Sequence, residues 1–139
     1  MVNMSIAIYD PPPGGAAALA PNVSQKVVGI QLNTGNNLSP FWVITGKVVV
    51  ASSSAVSVRA QLVAVAPPAP PTVLDTSTAT IPANGSETIS LEGVLTPNAA
   101  GAAPPPTCVE IVCVSPSAAK AELARLIAFP VNPAIVVTC

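Results

Sequence analysis

The sequence contains no histidine. The side chain that titrates nearest neutral pH, and that most often binds transition metals, is therefore missing, and with it the commonest general base. Charge is scarce as well. Five Lys and Arg and six Asp and Glu make up 8% of the 139 residues, against about 25% in an average domain. The cations Lys26, Lys47, Arg59, Lys120 and Arg125 are scattered, so the basic patch that nucleic-acid binding requires is absent. The carboxylates Asp10, Asp75, Glu87, Glu92, Glu110 and Glu122 are just as dispersed. Glu87 and Glu92 differ in parity, so on one strand they face opposite ways and form no acid/base pair. Gly14-Gly15 follows three prolines and opens no phosphate loop. No catalytic residue, metal site or cofactor is expected, and the chain reads as a non-enzyme.

Two further absences narrow the class. Half of the residues are apolar, yet no run of about 18 is free of Pro, Asn, Ser or charge, so membrane insertion by a helix is not expected. The opening Met1-Val2-Asn3-Met4-Ser5 lacks a basic region and Asp10 interrupts the apolar stretch behind it, so no signal peptide is read. With so few ions, the exterior has to consist of Ser, Thr, Asn, Ala and Pro. Burying neutral groups costs far less than burying charge. Such a surface suits a subunit packed against neighbours better than a free monomer, which gains solubility from charge. The expected partner is therefore another copy of the chain, or a capsid or fibre protein.

What is present is β structure. The length fits one domain. Three proline clusters, Pro11–Pro13, Pro67–Pro71 and Pro104–Pro106, mark loops, because proline cannot donate to a strand ladder. Between them the apolar residues recur with period two. Val56, Val58, Ala60, Leu62 and Ala64 share one face of a strand, with Ser57, Arg59 and Gln61 on the other. Phe41–Val50 is a β-branched strand, and Ala51–Ala55 is read as the hairpin joining it to Val56–Val65. Lys26–Leu32 is a shorter strand, and the Thr-rich Thr72–Ile81 an edge strand. Pro82-Ala83-Asn84-Gly85 carries the Asn-Gly hairpin signal. After it, Ile89, Leu91, Gly93 and Leu95 point inward while Ser90 and Glu92 point outward. Thr107–Val114 is the next strand. Ser117–Leu126 has helix formers behind a good N-cap, yet Leu123, Arg125, Ile127 and Phe129 also alternate. In an all-β chain a turn near residues 118–121 followed by a strand is expected, with a single helical turn as the other reading. Seven to nine short strands between turns indicate an antiparallel β-sandwich of jelly-roll type. The expected division is an N-terminal arm and linker over residues 1–22, the sandwich over 23–131 and a tail strand over 132–139.

The cysteines constrain one another. Cys108 and Cys113 lie an odd number of residues apart on one strand and face opposite ways, so they cannot bond to each other. Cys113 shares the core face with Val109 and Ile111. Cys108, on the face of Glu110, could bridge to Cys139 within or between chains, or all three thiols could be free. The N-terminal Met4, Ile6 and Ile8 alternate with Ser5, Ala7 and Tyr9 as a short strand behind a Pro/Gly linker. Such a strand can add to a neighbour's sheet edge or fold back on its own domain. Ile135 and Val137 in the C-terminal Ala134–Thr138 could do the same. These five apolar residues are the candidate assembly contacts.

Residues 40–131 also resemble a known family. The carrying stretches are Phe41-Trp42-Val43-Ile44-Thr45-Gly46-Lys47, Asp75–Ser86, Ile89-Ser90-Leu91, Cys108–Cys113 and Ala124–Phe129. Their order is similar to that of complement/tumour-necrosis-factor-like jelly rolls at the tips of bacterial or phage surface fibres and in self-assembling appendages. The resemblance implies a ten-strand-class sandwich, trimeric or polymerised, with a structural or adhesive role. The expected function is a self-assembling subunit of a virion surface (capsid decoration or fibre protein) or of an extracellular filament. The alternative is an adhesive module recognising glycan or protein, which needs a groove lined by Tyr9, Phe41, Trp42 or Phe129.

Overall fold

The computed structural model describes residues 5–9, 17–32, 41–65, 70–95 and 107–131. Among these the chain forms nine strands and no helix: β1 (Ser5–Tyr9), β2 (Ala17–Leu19), β3 (Gln25–Leu32), β4 (Phe41–Ser52), β5 (Val56–Val65), β6 (Thr72–Ile81), β7 (Gly85–Leu95), β8 (Thr107–Val114) and β9 (Ala119–Val131). Pairing is antiparallel in two sheets. One runs β1-β9-β4-β7, with β2 also on β9, and the other runs β3-β8-β5-β6. Among β3 to β9, only β5 and β6 are both consecutive and paired; every other step passes to the opposite sheet. That alternation is the jelly-roll connectivity, and it makes the chain an all-β sandwich as its period-two pattern predicts. β1 and β2, in the segment expected as arm and linker, both pair with β9.

The core lies between the sheets, where alternate residues meet. Ile44, Val48 and Val50 of β4 and Ile89 and Leu91 of β7 face Val58, Ala60 and Leu62 of β5 and Val109, Ile111 and Cys113 of β8. Removing each such Val, Leu or Ile from water contributes about 1.5–3 kcal/mol. β9 supplies mainly small residues to this layer, Ala119, Ala121, Ala124 and Ala128, with Leu126. A bulge against β4 at Val49/Val50 leaves Glu122 unpaired, so the inward parity of β9 changes from Ala121 to Ala124. Gly46 of β4 is buried where the sheets approach closely. A Cβ there would stand 2.9 Å from Ile111 Cδ1 of the facing sheet.

Two expected hairpins are corrected. Ala51–Ala55 is a corner between sheets. β4 has β9 on one side and β7 on the other, and β5 has β6 and β8, so neither has an edge to offer the other. The corner is held locally by buried Ser52, whose Oγ donates to the Ser54 carbonyl at 2.7 Å and accepts the Ser54 N–H at 3.2 Å. The Pro82–Gly85 turn also connects sheets. Gly85 N–H donates to the Pro82 carbonyl at 3.0 Å, and Asn84 alone adopts positive φ, 56°. A hairpin of type I′ needs positive φ at both central residues, whereas a turn with it only at the third position splays the flanking strands. β6 therefore stays with β5, and β7 goes to β4.

Candidate interaction surface

The two outer faces of the sandwich differ. On the β3-β8-β5-β6 sheet the outward register rows carry Thr78, Arg59 and Val114, then Thr76, Gln61, Val112 and Lys26. This face is hydroxyl- and amide-rich, and Lys26 Nζ sits 3.8 Å from half-buried Glu110 on it. That is the one salt bridge among the described residues. Cys108 lies on this side, half-buried, while Cys113 is fully buried. Burial pushes the Cys113 thiol from its ordinary value near 9 up to about 12, because a thiolate there would be desolvated.

The outer face of the β1-β9-β4-β7 sheet is apolar at one end and charged in its middle. Val43 pairs in register with Val94 on β7 and with Phe129 on β9. All three are exposed, at 38%, 54% and 39%. The next row is Glu92, Thr45 and Ile127, and the one after it Ser90, Lys47 and Arg125. Lys47 and Arg125 thus stand directly opposite each other, an arrangement that costs free energy between like charges. Arg125 Nε is buried without a hydrogen-bond partner. A shallow depression of about 480 Å³ collects Lys47 and Arg125 on one side, Asp75 and Glu92 on the other, and Thr45 and Ser90 between. Asp75 reaches it from β6: its carboxylate accepts the Glu92 main-chain N–H at 2.8 Å and that of Thr76 at 2.9 Å.

The sequence-predicted assembly residues are placed only in part. Ile6 and Ile8 stand on β1 opposite Ile127 and Arg125 of β9, at the edge of this same sheet. Met4, Ile135, Val137 and Cys139 lie outside the described residues. Sequence reasoning missed the charged and apolar rows, although their signal is in the alternation of Leu123, Arg125, Ile127 and Phe129. That alternation faces outward, and Ala124, Leu126 and Ala128 between are the core side. Of the aromatics a binding groove would need, Trp42 is in the core and Phe129 is exposed; the Tyr9 and Phe41 side chains lie outside the described residues. Among the described residues no group of acidic, Cys or His side chains is clustered to hold a metal, and no helix is long and apolar enough to cross a membrane.

No family model and no curated protein matches the chain, so membership of the complement/tumour-necrosis-factor-like family is not shown. Solved structures do match in fold. A chain of the T13 IBDV viral particle superimposes with a TM-score of 0.63 at 7% identity, over 91% of this chain and 31% of that one. A chain of the infectious bursal disease virus Gx strain gives 0.58 at 10% identity, over 96% and 34%. The chain therefore spans about a third of the length of these viral chains. At such identities the likeness is one of fold: this chain is a jelly-roll β-sandwich.

Proposed function

We propose that the chain is a non-enzymatic structural subunit that self-assembles on a virion surface, as a decoration or fibre protein or as part of the coat. The observation that carries the reading is the strand order β1-β9-β4-β7 over β3-β8-β5-β6, shared in fold with chains of viral particles. The scarcity of charge supports it independently, since a surface with few ions loses little on desolvation. So does the exposed apolar row on one sheet face.

The terminal strands are the second element of the proposal. β1 is five residues long and sits on a sheet edge, paired to β9 alone. A strand held that way can be donated to a neighbour's β9 with the same main-chain bonds. Ile6 and Ile8, with Met4, Ile135 and Val137 of the terminal segments, then set the register between copies. A Cys108–Cys139 bridge between copies would lock the same assembly.

The test is the mass of the purified full chain by light scattering across a wide concentration range, with negative-stain images. Oligomers or regular particles are expected. A uniform 13.8 kDa monomer at every concentration overturns the proposal. Deleting residues 1–15 should then abolish assembly while circular dichroism still reports a β-sandwich. If the truncated chain assembles as before, strand donation is wrong and the assembly uses another surface.

A further inference from the structure

Resting on the assembly reading above, we infer that the outer face of the β1-β9-β4-β7 sheet is a self-complementary contact with a second copy of this chain, in which Glu92 of each copy meets Lys47 and Arg125 of the other. Three observations converge on this face. First, the chain has only five cations, yet two of them, Lys47 and Arg125, are held side by side in register. The single salt bridge among the described residues is Lys26–Glu110, on the opposite sheet. Two adjacent cations with no ion-pair partner among the described residues are a site for an incoming carboxylate.

Second, the matching carboxylate is on the same face. Glu92 is exposed on β7, one register row from Lys47 and across β4 from Arg125. Asp75 lies on its side of the depression with its oxygens already accepting main-chain N–H groups, which leaves Glu92 as the free acid. An acid and a base pair displaced from one another on a single face are exchanged by a two-fold axis lying between two copies. Both contacts then form at once, as isologous association demands. The occupant is thereby fixed by charge: a purely acidic or purely basic partner would satisfy only half of the depression.

Third, the row Val43, Val94 and Phe129 borders the charged rows and leaves apolar area exposed, next to half-buried Ile127. Covering that row supplies affinity, while the charges set orientation and exclude wrong partners. Among the described residues the other sheet, rich in Thr and Gln outside, has one exposed large apolar side chain, Val73, and no row of three.

A charge-reversal pair tests the assignment in the full chain. One variant carries Lys47→Glu and Arg125→Glu, the other Glu92→Lys; all three positions lie on the outer face, and circular dichroism checks the fold. Each variant alone should self-associate at least about 10-fold more weakly than the natural chain. Mixed in equal amounts they should recover association, because both contacts in the mixed pair are again acid to base. If the reversals fail to fold, Glu92→Gln replaces them and should weaken association and reduce its salt dependence. Unchanged association of the variants, or no recovery on mixing, overturns this interface and leaves self-assembly standing. A natural chain that stays monomeric overturns both, and a face that is then protected only when another protein is added belongs to that protein.

Discussion

The carboxylate of Asp75 on β6 accepts the main-chain N–H of Glu92 at the outer edge of β7, at 2.8 Å. The two residues belong to different sheets, so this bond closes the flank of the sandwich where β6 and β7 run as neighbouring edges. It exists because of a bulge. Leu62 pairs with Asp75 and Val63 with Val73, so Leu74 is the extra residue. Asp75 is turned inward opposite buried Leu62 and meets one of the N–H groups at the β7 edge that would otherwise be open to another strand.

Asp75→Ala should therefore lower stability by about 1–2 kcal/mol, the low end for a hydrogen bond to a charged group because the site is partly exposed. A urea titration reads it as a lower midpoint at unchanged slope. The freed edge should also raise aggregation on heating. An unchanged midpoint means the bond contributes nothing to holding the flank.

Gly93→Ala tests the packing beneath that bond. A Cβ on Gly93 would stand 2.8 Å from Leu74 Cβ and 3.2 Å from Leu62 Cδ2. The first of these atoms is fixed to the backbone, so relief requires β6 and β7 to separate. A loss of about 1–3 kcal/mol is expected, as for other overpacked sites. Gly29→Ala is the control. Its Cβ meets the flexible Glu110 side chain at 3.3 Å, on an exposed strand where replacing glycine by alanine gains about 0.5–1 kcal/mol. Thermal melts of the two variants should move in opposite directions.

The buried thiol makes a pH prediction. Cys113 has its folded pKa raised from near 9 to about 12. The neutral thiol is the form compatible with the core, so this contribution is fully present below about pH 9. Above it the unfolded chain ionises first and binds fewer protons, and stability falls by on the order of 1 kcal/mol per pH unit until about pH 12. Cys113→Ala should remove that part of the alkaline slope. In the folded chain at pH 8, iodoacetamide should leave Cys113 unmodified, and mass spectrometry of the same digest reveals whether Cys108 is linked to Cys139.

Much of this was legible in the amino-acid sequence. Alternation placed Val56–Val65, and Thr-rich composition Thr72–Ile81, as strands with the bounds found, as was Thr107–Val114. Alternation also put Val109, Ile111 and Cys113 on the buried side. It could do so because the side-chain period of a strand is a local property, fixed by backbone pleating. The missing histidine and sparse charge carry the expectation of a non-catalytic packing protein, which the proposed assembly tests.

Pairing was a different matter. A strand's pattern says which face is buried and nothing about which strand lies beside it, so two sheet-to-sheet corners read as hairpins. What decided them were the occupied edges of β4 and β5 and the single positive φ at Asn84, both products of the assembled sandwich. The outer face was hidden for the same reason. Lys47 and Arg125 are 78 positions apart, and only the β4–β9 register brings them together. The sequence by itself determined that this chain is a β-sandwich with few charges. Tertiary structure decided which strands pair, and thereby gathered two distant cations, a carboxylate and an apolar row onto one face.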